Sequence, residues 1–126
     1  MIFNHFVEVA ILKKVINMNE KELNNFKRKY FDLSKRLIKN IVVHDPNTTK
    51  EHRKLVFDIC EWLLDNDYVF FTRVFTKSGE IIDIVAPDLP HPFIEVRHSE
   101  SEKKEYVADY DHLRIFVDTE DPHRLL

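Results

Sequence analysis

Three runs rich in β-branched and aromatic residues crowd into a short stretch of the chain: VFFTRVFT (69–76), IIDIVA (81–86) and FIEVRH (93–98). Only the turn Lys77-Ser78-Gly79-Glu80 and a Pro-rich loop separate them. Strand-forming residues bounded by Gly and Pro predict an antiparallel hairpin followed by a third strand. Two of the runs carry an acid among apolar neighbours, Asp83 between Ile82 and Ile84 and Glu95 between Ile94 and Val96. An ionised carboxylate in such surroundings costs several kcal/mol unless partners stabilise it. Partners must therefore accompany these strands.

The rest of the chain supplies covering elements. From Asn19 the positions Leu23, Phe26, Tyr30, Leu33, Leu37 and Ile41 step by three or four residues, which predicts one helical face. Lys27, Arg28, Lys35, Arg36 and Lys39 fall largely elsewhere around that helix, and Asp45-Pro46-Asn47 stops it. Thr48-x-x-Glu51 has capping-box spacing and opens a helix over about residues 49–65. Its buried stripe is Leu55, Val56, Ile59, Cys60 and Leu63, with His52 pointing the same way. Ser99-x-x-Glu102 opens another helix through about Asp111, and LRIFVD (113–118) closes the order as a strand. The apolar segment 2–16 suits a short helix or a strand, with the helix preferred. The order after the N-terminal part is helix, three strands, helix, strand, which narrows the fold to a mixed sheet with helices packed on it.

A chain of 126 residues suits one compact domain. No apolar run approaches the roughly 20 residues of a membrane span, and Glu8, Lys13 and Lys14 interrupt the N-terminus without a cleavage pattern behind them. A cytoplasmic, unprocessed protein with no membrane partner is expected. The single cysteine, Cys60, excludes an internal disulfide and reads as an inert buried thiol. The seven histidines (His5, His44, His52, His91, His98, His112, His123) lack the spacing of a tetrahedral zinc site. Charge is uneven: 12 Lys and Arg against 6 Asp and Glu through residue 54 give +6, and 7 against 16 thereafter give −9. One half is suited to phosphates and the other to metal ions, or the two are solvated surfaces that attract each other.

Two carboxylates from neighbouring strands, converging at one sheet edge, suit a hard divalent cation. Arg97 lies two residues beyond Glu95 and shares its strand face, so a cation joins the two acids. Asp83, eleven intervening residues, then Glu95-Val96-Arg97, set after a helix and within αβββαβ order, resembles the PD-(D/E)XK nuclease superfamily. That superfamily includes restriction endonucleases, archaeal Holliday junction resolvases and several repair nucleases. The resemblance covers about residues 48–118. It implies an α/β fold with a restriction-endonuclease-like core, a mixed central sheet flanked by helices over residues 48–126, preceded by an N-terminal helical extension over 1–47.

The resemblance also implies a metal-dependent endonuclease acting on nucleic-acid phosphodiesters, in DNA repair, recombination or restriction, with Mg²⁺ or Mn²⁺ as cofactor. DNA is favoured over RNA, and a homodimer would cut two strands. Asp83 matches the metal-binding aspartate, Glu95 the acid of the second motif, and the Val96 carbonyl a further ligand. Glu51 is the candidate for the glutamate contributed by the first helix, with Glu61 as fallback, although Glu51 also fits as the capping-box acid. Arg97 stands where the family usually has lysine. Arginine stays protonated and cannot act as a general base, but its planar fork can hold phosphate oxygens. Lys103 and Lys104 are substitutes for the missing lysine or parts of a solvated face. Lys27, Arg28, Lys35, Arg36 and Lys39 track the nucleic-acid backbone or form an ordinary helix surface. His52 reads as a hydrogen-bonded core residue that the helix start could bring close to the acids, and His91 and His98 flank the Glu95 strand. The alternatives are a catalytically inactive nuclease-like module that binds nucleic acid or protein, and an assembly subunit whose apolar N-terminus packs on a partner.

Overall fold

The computed structural model describes residues 18–97 and 113–119. The first apolar segment (2–16), the helix expected over 99–111, and His98, Lys103 and Lys104 lie outside them. Within the described residues the order is α1 (Glu20–Tyr30), α2 (Lys50–Asp65), β1 (Phe71–Phe75), β2 (Ile81–Val85), β3 (Phe93–Arg97) and β4 (Arg114–Asp118). The strands form one sheet in the order β1-β2-β3-β4. The first two pairings are antiparallel and β3-β4 is parallel. The chain is thus an α/β protein with a mixed four-stranded sheet.

Both faces of the sheet are covered, which explains why its strands read as continuous apolar runs. Neighbouring residues on a strand point to opposite faces. Ile84 and Ile94 join the cluster of Leu55, Val56, Ile59, Cys60 and Leu63 from α2, with Ile115 and Val117. Val85 and Phe93, one residue away from each, join Phe71, Tyr30 and Phe31, with Leu23 and Phe26 packed against them. The expected stripe of α2 is therefore the buried one. Cys60 is part of it, and burial, aided by the charge of Glu61, pushes its thiol up to about 12, as an inert core cysteine requires.

The N-terminal helix is shorter than its spacing predicts. Asn19 caps it: the Glu22 N–H donates to Asn19 Oδ1 at 2.8 Å, and Glu22 Oε1 accepts from the Asn19 N–H at 3.4 Å. It stops at Tyr30 because Phe31 is drawn into the sheet. Phe31 is extended, bridges to Thr76 and sets its ring edge-on to Phe71. The Asp32 N–H donates to the Phe75 carbonyl and the Lys77 N–H to the Tyr30 carbonyl. Helix continuation would pull a fully buried aromatic out of the core. The chain then turns at Asp32, whose Oδ1 accepts from both the N–H and the hydroxyl of Ser34. Leu33 and Ile41, expected on the helical face, are exposed. Lys35, Arg36 and Lys39 accordingly sit on irregular chain, and only Lys27 and Arg28 are on the helix.

That irregular segment covers the open side of β1. The Asn40 N–H donates to the Phe70 carbonyl, and Asn40 Oδ1 accepts from the Phe70 N–H. The Thr72 hydroxyl donates to the Ile41 carbonyl at 2.9 Å and accepts from the Val43 N–H at 2.8 Å. The sheet edge is thereby shielded from pairing with another chain.

The hairpin between β1 and β2 turns at Gly79, whose φ of +89° only glycine adopts freely. A Cβ there would meet nothing within 4 Å. The cost of Gly79→Ala is therefore backbone strain alone. It is expected to lower unfolding stability by about 1 kcal/mol in urea denaturation, with the midpoint displaced and the slope unchanged.

Candidate functional site

The β2-β3 ladder is short. Ile84 pairs with Ile94 and Val85 with Phe93, and the next pair in that register would be Asp83 with Glu95. At this point side chains replace the backbone ladder. The Asp83 N–H donates to Glu95 Oε1 at 2.9 Å, and the Val96 N–H donates to Asp83 Oδ2 at 2.9 Å. Each acid thus satisfies a backbone donor where the strands part, which buried N–H groups require. The two carboxylates expected to converge do so, and they are tied reciprocally.

Glu95 is 9% exposed. Burial first, and then the charge of Asp83, push its carboxyl up to about 8; the Asp83 N–H and Arg114 act the other way, and Glu80 adds a further raising charge. The arrangement is an acid pair with too little positive charge close by.

His52 approaches from the first turn of α2. Its Nε2 lies 3.3 Å from Asp83 Oδ2. Burial opposes a charged ring, but the hydrogen bond and charge of Asp83, the Val96 carbonyl and the charge of Glu95 together leave its pKa raised. The imidazole therefore engages the Asp83 carboxylate, one of the groups expected beside Glu95 as metal ligands.

Glu51, one residue earlier, is exposed and has no hydrogen bond or ion pair to either acid among the described residues. The helix cap is also displaced by one position. Thr49, not Thr48, accepts the His52 N–H through its hydroxyl, so Glu51 does not close a capping box. His52 lies three and four residues before Leu55 and Val56 of the buried stripe, and this spacing turns it toward the acids. Glu61, the fallback, is exposed as well.

Arg97 is half-buried, and its guanidinium lies over the Phe116 ring, 5.0 Å from the centroid. Register pairs Phe116 with Glu95, so Arg97 shares the Glu95 face as strand alternation predicts. Among the described residues no ion pair joins it to Asp83 or Glu95. The cation beside Glu95 is Arg114, from the start of β4. Its side chain is 2% exposed, with Nη1 2.9 Å from Glu80 Oε2 and 3.8 Å from Glu95 Oε2. Sequence reasoning passed over Arg114 because only the parallel β3-β4 pairing brings it to the acids.

A second arginine was also missed. Arg73 on β1 has φ +48°, a left-handed conformation that costs a non-glycine residue about 1–2 kcal/mol. The register is the same on both sides of this residue: Thr72 pairs with Ile84 and Val74 with Ile82, which sets Arg73 opposite Asp83, although these two do not pair themselves. Arg73, Asp83 and His52 line one narrow cleft with His44, Asp45 and Thr48.

Of the basic residues expected to track a nucleic-acid backbone, Lys27 holds its ammonium over the Phe71 ring and Lys35 over the Phe75 ring. Arg28, Arg36 and Lys39 are exposed. His91 is exposed too.

Asp83, Glu95 and the Val96 carbonyl form a donor set of hard oxygens. It fits Mg²⁺ or Mn²⁺, which take one or two carboxylates and keep water or phosphate in their remaining positions. Among the described residues no group of three or more His, Cys, Asp or Glu is arranged to hold a metal ion, so none of them forms a closed cage. Among them, too, no helix is long and apolar enough to cross a membrane. No protein-family model, curated protein or solved structure matches the chain.

Proposed function

We propose that the chain is a metal-dependent nuclease of the PD-(D/E)XK kind, hydrolysing phosphodiester bonds in nucleic acid, with DNA favoured over RNA. The observation that carries this reading is the reciprocal Asp83–Glu95 pair at the opening of the β2-β3 ladder, with Glu95 forced to hold its proton to about pH 8. A divalent cation supplies the positive charge that this pair lacks. When bound, it acidifies a water for in-line attack and neutralises charge on the phosphate. Asp83, Glu95 and the Val96 carbonyl would hold it. His52 orients the Asp83 carboxylate, while Arg114 limits the repulsion between the acids. The uneven charge of the chain, with Lys27, Arg28, Lys35, Arg36 and Lys39 in its basic half, supports attraction to a polyanion. A homodimer that cuts both strands belongs to the same reading.

One observation favours a rival, a nuclease-like module that binds nucleic acid or protein without hydrolysis. His52 sits on the Asp83 oxygen and takes up part of the ligand set. Incubation with single-stranded, duplex and branched DNA and RNA, in Mg²⁺, Mn²⁺ or EDTA, separates the two. Cleavage is expected with either metal, none in EDTA, and a loss of at least about 100-fold in Asp83→Ala, the scale of removing a main electrostatic contribution at an active site. Cleavage that survives Asp83→Ala removes the proposed site. Uniform inactivity of the wild-type chain with Mg²⁺ selects the binding module.

A further inference from the structure

The cleft beside Asp83 holds a cation whose geometry is unexplained by the fold. Arg73 accepts a left-handed backbone in the middle of a strand, opposite Asp83 in the β1-β2 register. Among the described residues the other non-glycine positions with positive φ, Asn40 and Asp67, are of types that tolerate it; arginine is not. Among the same residues its Nε is buried without a hydrogen-bond partner and it has no ion pair with Asp83 or Asp45, although all three line the cleft. A buried guanidinium N–H normally finds an acceptor. Strain of this kind collects at sites where a side chain is held for a ligand.

We infer that Arg73 is a phosphate anchor, its guanidinium held in the cleft beside Asp83 to take a backbone phosphodiester of a nucleic-acid strand. This rests on the nucleic-acid reading above and names the residue that would receive the substrate. The ligand chemistry follows from the group. A planar fork of N–H donors matches the oxygens of a phosphate, and Arg73 and His52 both line the cleft that Asp83 shares. Arg97, lying over Phe116, is then not the only arginine on hand for the substrate, and Arg73 is the one whose cleft Asp83 shares.

The test is fluorescence anisotropy of labelled duplex and single-stranded DNA over a KCl series in EDTA, so that no strand is cut. Arg73→Gln is expected to weaken binding about tenfold and to reduce the slope of log K against log[salt] by about 1, the signature of one lost phosphate contact. Arg73→Lys restores the slope and only part of the affinity. Lys77→Gln, the same charge change at the exposed hairpin turn, does neither. Arg73→Gly, which suits φ +48°, keeps a Tm at or above wild type and shows the same loss of binding. Wild-type affinity and slope in Arg73→Gln, weaker binding with an unchanged slope, or no binding by the wild-type chain overturns the inference. Asp83-dependent cleavage with Arg73-independent binding sinks the anchor and leaves the nuclease standing. Arg73-dependent binding without cleavage in Mg²⁺ does the reverse.

Discussion

Glu95→Gln is expected to make the protein more stable at pH 8 and inactive as a nuclease. Glutamine keeps an oxygen to accept the Asp83 N–H and removes the group that cannot ionise cheaply. In the folded protein Glu95 holds its proton to about pH 8, against an ordinary value of 4.5. Between those values the folded state binds more protons than the unfolded chain, so stability falls as pH rises from about 4.5 to about 8. His52 acts in the same direction. Its folded pKa is raised above 6.5, so its contribution is complete below 6.5 and is lost as pH climbs through the folded value. Wild-type Tm should therefore decline from pH 5 to pH 9. The Glu95→Gln curve should be flatter and lie above it at pH 8, where the difference in unfolding free energy should be roughly 3 kcal/mol. Mg²⁺ should raise the wild-type Tm at pH 8, because a ligand that binds only the native state stabilises it, and leave the variant unmoved. A variant less stable than wild type at pH 8 would mean that the carboxylate is a well-compensated ion, and the case for a cation site would go with it.

The acids were legible because each breaks a local rule. Asp83 and Glu95 are charged residues inside apolar strand runs, and such conflicts between local pattern and burial mark functional positions. The strands and α2 were legible because their turn residues and apolar periods agree. The stretch from Phe31 to Val43 was not. Its three-and-four spacing imitates a helical face, but Phe31 gains more by packing on Phe71 and pairing beside Thr76 than by continuing the helix. Glu51 and His52 show how one residue decides a site: His52 is spaced to share the stripe of Leu55, Val56 and Ile59, and Glu51, one helical step away, falls outside it. Arg73 and Arg114 are ordinary residues in their own strands. They matter only through register, Arg73 beside Asp83 and Arg114 across β3, and register is a product of tertiary pairing.

Arg114→Met should be the most destabilising change at the site. Methionine fills much of the same volume, so the loss is chiefly that of charge. Without the guanidinium, Glu95 loses its buried cation and Glu80 its 2.9 Å partner. Breaking a buried pair by removing one member costs about 3–5 kcal/mol, a large part of the roughly 5–15 kcal/mol that holds a domain of this kind together. The effect should depend on pH in a way that simple repacking does not. Near pH 4 Glu95 is protonated in either state, and the penalty should shrink; near pH 8 it should be at its largest. In a double-mutant cycle with Glu95→Gln at pH 8, the cost of Arg114→Met should drop by about 1–2 kcal/mol, the coupling expected of residues in one charge network. Urea unfolding of the four proteins at both pH values measures all of this. Equal costs in both backgrounds would mean that Arg114 serves Glu80 and the β3-β4 pairing alone. Among the described residues, His52 on the Asp83 oxygen would then be the compensating group for the two acids.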